Sequence, residues 1–195
     1  MTFRLGLTGS IGMGKSTTLE MFVAQGIPVW DADAAVHRLY APGGAAVRPL
    51  AALFPSAVVN GAIDRARLKG LIALDPTALA AIEGIVHPFV AADRADFIAQ
   101  TVSDIAVFDI PLLFENHAQG QFNATLLVTA PAALQQARVL ARPGMTPDHF
   151  ALIASRQMPD AQKRSLATHI VETLSPDQTR SYVTALIAYI RGSHA

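Results

Sequence analysis

The sequence contains no cysteine, a single tryptophan and no excess of either charge, with fifteen lysines and arginines against fifteen aspartates and glutamates. Without cysteine there can be no disulfide and no thiolate metal centre, so a metal ion would be held through oxygen. Balanced charge leaves no global field to recruit nucleic acid or an anionic membrane surface, and any anion site must be local. Hydrophobic residues make up 51% of the 195-residue chain, yet no uninterrupted run approaches the roughly 18 apolar residues that a membrane span needs. The N-terminus passes straight into an apolar run, without the basic segment and cleavage site of a secretory leader. The expectation is a cytoplasmic chain with neither nucleic-acid nor membrane partners, and no feature specifies an oligomeric state. The length predicts one unit, residues 1–195, with small insertions.

What the chain does have is Gly9-Ser10-Ile11-Gly12-Met13-Gly14-Lys15-Ser16, followed by Thr17. It fits G-x-x-x-x-G-K-[ST], the phosphate-binding P-loop pattern. Its setting fits too, because residues 3–7 read as a short buried strand and residues 16–23 as the start of a helix. Glycines let the backbone turn tightly around an anion, with N–H groups pointing inward and the helix dipole behind them. Gly9, Ile11, Gly12, Met13, Gly14, Lys15, Ser16 and Thr17 are therefore candidates to bind a nucleoside triphosphate. Lys15 would reach the β- and γ-phosphates and Ser16 would ligate magnesium.

Residues 27–30 form a second short apolar strand that runs into Asp31-Ala32-Asp33. In open parallel sheets ligands sit beyond the carboxyl ends of strands, so these aspartates are candidates for chemistry. Either one could instead cap the helix expected over 34–40. Helices are predicted to follow to about residue 54, with a turn at Asn60-Gly61, another helix opening over 63–68, and a longer one starting at Asp75-Pro76. Pro88 is expected to kink that longer helix, and His87 beside it is either a packed residue or a substrate contact. Asp109 ends an apolar strand over 105–110, a place for a magnesium-holding carboxylate or a cap. A strand over 124–128 leads to a helix carrying Gln135, Arg138 and Arg142 on one side. An arginine row of this kind is solvated surface, or the group that closes on a γ-phosphate. Strands alternating with helices predict an α/β fold, a P-loop NTPase-type doubly wound parallel sheet of about five strands. The core is expected at about 1–33, 101–130 and 167–195, a helical substrate-binding insertion at 34–100 and a helical lid at 131–166.

The P-loop, Asp31-Ala32-Asp33, Ile63-Asp64-Arg65, His87-Pro88 and Asp109-Ile110-Pro111-Leu112-Leu113-Phe114-Glu115 together resemble the dephospho-CoA kinase family. The pattern continues through Gln135-Gln136-Ala137-Arg138, Arg142, Gln157 and Lys163. The resemblance implies transfer of the γ-phosphate of ATP to the 3′-hydroxyl of dephospho-CoA, with ATP and magnesium as the reaction's requirements and a small molecule as partner. It implies Asp33 at the acceptor hydroxyl, Lys15, Arg138 and Arg142 on the phosphates, and Arg65, His87 and Leu113 on the acceptor side. The sequence departs from the pattern at Pro143, Thr168 and Thr173, where an acidic residue, an aspartate and an asparagine are usual. Another small-molecule or nucleotide kinase of the P-loop class is the alternative. A nucleotide-dependent switch ranks below both, because the guanine-reading Asn-Lys-x-Asp is missing.

Overall fold

The computed structural model describes residues 2–193; the extreme ends of the expected 1–195 unit lie outside the described residues. Strand β1 (Phe3–Thr8) is followed by helix α1 (Lys15–Val23), β2 (Val29–Asp31), α2 (Ala32–Tyr40) and α3 (Val47–Leu53). A hairpin, β3 (Val58–Val59) and β4 (Ala62–Ile63), precedes α4 (Arg65–Leu74) and α5 (Thr77–Gln100). Then come β5 (Ile105–Asp109), β6 (Ala124–Thr129), α6 (Ala132–Leu140), α7 (Pro147–Ser155), α8 (Asp160–Leu166), β7 (His169–Glu172) and α9 (Pro176–Ser193). The chain separates into two compact units, one formed by the segments up to Trp30 and from Thr101 onward, the other by Asp31–Gln100.

The first unit is built on a five-stranded sheet of order β2-β5-β1-β6-β7. Every pairing from β5 to β7 is parallel, with Leu7 opposite Asp109 on one side and Leu126 on the other. Parallel strands covered on both faces carry apolar residues at consecutive positions, and β1 and β6 show why. Leu5, Leu7, Leu126 and Val128 point to one face, where they meet Met21 and Phe22 of α1 and Val183, Ile187 and Ile190 of α9. Leu127 points the other way, into a cluster with Leu113 and Phe114. Because the paired strands are parallel, Thr8, Asp109 and Thr129 end at one edge of the sheet, which is the edge that carries ligands in such folds.

A buried ion pair lies on that second face. Lys163 is fully buried on α8, and its Nζ stands 2.8 Å from Glu115 Oε1. The angles fall outside hydrogen-bond range, so the contact is ionic. Burial pushes the Glu115 carboxyl up, but the Lys163 ammonium and the Met158 N–H, 2.9 Å away, outweigh it and hold it below the usual range. Removing one partner of a buried pair leaves the other charge stranded, so Lys163→Met is expected to lose roughly 3–5 kcal/mol of stability. Adding Glu115→Gln should recover part of that loss, as read by urea unfolding.

His169 of β7 stands edge-on to Tyr189, ring centres 5.9 Å apart, and burial pushes its imidazole below the ordinary value. The unfolded chain therefore takes up a proton more readily than the folded one. The stability tied to His169 is fully present above about pH 6.5 and is lost as pH falls through the folded-state value. His169→Gln should flatten the decline of Tm with acidification between about pH 7 and 5. An unchanged slope would remove His169 from the account.

The second unit has its own core, formed by Leu39, Leu50, Ile63, Leu68, Ile82 and Val86 from α2, α3, β4, α4 and α5. One feature differs from the sequence expectation. Asn60 (φ 50°) and Gly61 (φ 76°) make the expected turn, but it joins two short antiparallel strands within what was read as a wholly helical stretch. Two-residue strands are too short to show a period of two. Pro88 lies inside one continuous helix of 24 residues, α5, so the loss of one amide donor does not break it.

Candidate active site

The loop between β1 and α1 owes its form to glycine. Gly12 has φ 77° and an added Cβ there would collide with the Val139 side chain. Gly14, with φ 93°, is the left-handed residue from which α1 starts, and a Cβ would stand 3.0 Å from Thr173 Oγ1. Other residues rarely adopt such φ values. Within α1 the first amide to bond backward is that of Thr18, to Gly14 O at 3.0 Å. The amides of Lys15, Ser16 and Thr17 thus have no intrahelical acceptor, and the helix dipole reinforces them as anion donors.

Lys15 Nζ donates to both Asp109 carboxylate oxygens at 2.6 Å. Asp109 is 4% exposed, and the pair sits at the carboxyl edge of the adjoining β1 and β5. Ser16 and Thr17 are exposed beside it. The Ser16 and Thr17 hydroxyls at the start of α1 and the Asp109 carboxylate at the end of β5 are oxygen donors at this end of the sheet. Among the described residues no group of three or more His, Cys, Asp or Glu could hold a metal. A magnesium ion bound with phosphates needs only one or two protein oxygens, so this sparse set fits it.

A cleft of 240 Å³ opens from the loop, lined by Gly12, Gly14, Thr17, Arg138, Arg142 and Thr173. Arg138 is fastened at one side of it, Nη1 to Thr173 Oγ1 at 2.8 Å and Nη2 to Thr173 O at 2.6 Å. Thr173 Oγ1 in turn donates to Met13 O of the loop at 2.7 Å. Arg142, one turn further on, is exposed, and its guanidinium has no partner among the described residues. The two arginines are thus brought to one cleft in different states. A larger groove of 450 Å³ runs between α1 and α9 past Glu20, Gln25 and Arg180. It shares only Thr17, Met21 and Pro176 with the first cleft and lacks both Arg138 and Arg142, so of the two the smaller cleft is the one that brings arginines to the glycine loop.

The remaining candidates lie in the second unit, with one exception. Asp31 caps α2, its Oδ1 accepting from Ala34 N–H at 3.0 Å. Asp33, in the first turn, is exposed and its carboxylate has no partner among the described residues. Arg65 opens α4 with its guanidinium over the Tyr40 ring, 5.9 Å from the centroid. His87 is exposed on α5, immediately before Pro88. The exception is Leu113, whose side chain is fully buried with Phe114 and Leu127, so it is a core residue and offers no side-chain surface to an acceptor. Of the three apolar residues in that turn, Leu112 is the exposed one, at 41%.

Three polar residues around the loop were named in the sequence without a role. Thr173 gathers Met13 and Arg138; Gln135 Nε2 donates to Ile11 O at 2.8 Å; Gln157 Oε1 accepts from Ile11 N–H at 3.1 Å. Ile11 N–H is consequently engaged within the protein. The signals available were the place of Gln135 and Gln157 in the family pattern and the position of Gln135 on the arginine-bearing side of its helix.

A family model described as dephospho-CoA kinase matches residues 3–176. A protein of Cereibacter sphaeroides named dephospho-CoA kinase is 61% identical over 189 residues, covering 97% of this chain and 96% of its own length. One from Ruegeria pomeroyi with the same name is 52% identical over 194 residues, covering 100% and 98%. Among solved structures, a protein from Thermus thermophilus superposes with a TM-score of 0.86 at 34% identity, covering 96% of this chain and 97% of its own. A dephospho-CoA kinase from Campylobacter jejuni superposes with a TM-score of 0.68 at 20% identity over 97% of both chains, a likeness of fold.

Proposed function

This chain belongs to the dephospho-CoA kinase family, and on that premise we propose how its residues carry out the transfer. The enzyme moves the γ-phosphate of ATP to the 3′-hydroxyl of the ribose of dephospho-CoA, giving CoA and ADP. The observation that carries the phosphate end of this reading is the Lys15–Asp109 pair, 2.6 Å apart beside the unclaimed amides that open α1. Phosphoryl transfer asks little covalent work of a protein, and catalysis is mostly alignment and neutralisation of charge.

Lys15, released from Asp109, faces the β- and γ-phosphates in this reading, while Gly12 to Thr17 supply the amide cradle. Arg142 closes on the γ-phosphate from the lid, 131–166, and Arg138 remains the fastened base of that lid. Ser16 and Asp109 hold the magnesium ion, which when bound offsets the charge of the phosphates. The unit around α2 to α5 carries the acceptor, with Arg65 and His87 on its side. Asp33 accepts a hydrogen bond from the 3′-hydroxyl, aligns its lone pair with the γ-phosphorus, and takes the proton as the oxygen–phosphorus bond forms. No helix among the described residues is long and apolar enough to cross a membrane, and we place the enzyme in the cytoplasm with a small-molecule partner and no nucleic acid.

The test is ADP release with a panel of acceptors. Stimulation by dephospho-CoA alone is the expected result. Stimulation by a different hydroxyl acceptor would assign the chain to another branch of small-molecule kinases.

A further inference from the structure

The apex of the P-loop is gripped from two sides. Both polar groups of Ile11 are taken by glutamine side chains: its carbonyl by Gln135 Nε2 at 2.8 Å, its N–H by Gln157 Oε1 at 3.1 Å. Gln135 stands in the first turns of α6 and Gln157 two residues beyond α7, so the two glutamines bracket the helical segment that carries Arg138 and Arg142. Gln157 is itself anchored. Its neighbour Met158 donates to Glu115 Oε1 at 2.9 Å, and Glu115 is the partner of the fully buried Lys163.

We propose that Gln135 and Gln157 are positioning residues that fix the two peptides on either side of Ile11, hold the P-loop apex in its anion-cradling form, and couple that form to the segment bearing the two arginines. The inference rests on the reading of the P-loop as the ATP site. Ile11 directly precedes Gly12, whose left-handed φ turns the chain toward the amides that open α1. Unrestrained, the two peptides flanking Ile11 could rotate about their neighbouring bonds, and nucleotide would then have to order the loop as it binds. A loop held in place beforehand avoids that penalty.

The two contacts have opposite polarity, and this makes the proposal testable. Gln157 accepts, so Gln157→Glu keeps its hydrogen bond. Gln135 donates, so Gln135→Glu sets a carboxylate against the Ile11 carbonyl. Both carboxylates would bear the same charge beside the same residue, Ile11, so a difference between the variants reads the hydrogen bond more than the added charge.

The experiment measures the affinity of the full chain for ADP by calorimetry without acceptor, the unliganded Tm, and KM for dephospho-CoA. Gln135→Glu should bind ADP about tenfold or more weakly, and Gln157→Glu at least about fivefold more tightly than Gln135→Glu. Gln157→Leu should also lose about tenfold, and Gln135→Leu/Gln157→Leu little more than the worse single variant, since both hold the same residue of the loop. KM for dephospho-CoA should stay at the wild-type value. Equal losses for the two glutamate variants, or leucine variants that bind ADP like wild type, would overturn the proposal. So would a loss that follows a fall in unliganded Tm and affects both substrates alike. If a leucine variant fails to fold, the glutamate pair decides. A wild-type chain that binds no ADP would instead overturn the ATP reading beneath it.

Discussion

Lys15→Ala is expected to lower kcat/KM for ATP by about 10²–10³-fold and to weaken ATP binding in parallel. That is the range for deleting one charge-stabilising donor from a site preorganised for a transferring group. The same change disturbs the fold, for a reason visible before any nucleotide is considered. Lys15 Nζ holds both oxygens of Asp109, a carboxylate only 4% exposed. Removing the ammonium leaves that carboxylate in a poorly solvated position, which should lower stability toward the lower end of roughly 3–5 kcal/mol, because Lys15 itself is 19% exposed. The two consequences separate in Lys15→Ala/Asp109→Asn. Neutralising Asp109 should restore much of the Tm and none of the turnover, since the phosphates have lost their cation and the magnesium its carboxylate. Survival of both ATP binding and turnover in Lys15→Ala would contradict the phosphate geometry.

Asp33→Asn should lower kcat by about two orders of magnitude or more, with KM for ATP little changed and Tm unmoved. The stability half of that expectation comes from Asp31, which does the capping of α2 through Ala34 N–H. Asp33 has no structural bond to lose among the described residues. Asp31→Ala should therefore behave in the opposite way, losing about 1 kcal/mol of stability. If Asp33→Asn turns over at nearly the wild-type rate, Asp33 is no more than an acidic residue placed favourably in the first turn of a helix.

Much of the fold was legible because its signals are local. The P-loop pattern between an apolar run and a helix start specified β1, α1 and the glycine turn, and Asp75-Pro76 marked the start of α5, where Asp75 Oδ1 accepts from Thr77 N–H. The central strands read as strands because both faces are buried, which makes them continuously apolar. The hairpin at 58–63 was not legible, since its strands have two residues each. The pairing of Lys15 with Asp109 was hidden as well: both residues were marked, one for phosphate and one for metal, but the contact joins positions 94 apart in sequence.

Thr173 shows the limit most plainly. In the sequence it is a departure from the family pattern; in the fold it is a buried hub whose partners, Met13 and Arg138, lie 160 and 35 positions away. A threonine hydroxyl both donates and accepts, so it can take the loop carbonyl and the guanidinium together. Nothing in its neighbours along the chain announces that. Leu113 shows the converse: a motif position marks a residue without saying which way its side chain turns, and here it turns into the core.

The most direct test follows the phosphate itself. With ATP labelled at the γ-phosphorus and dephospho-CoA in excess, the account predicts one labelled CoA per ADP, the label on the ribose 3′-oxygen, and little free phosphate. Label released as inorganic phosphate at the same rate with or without dephospho-CoA would contradict it.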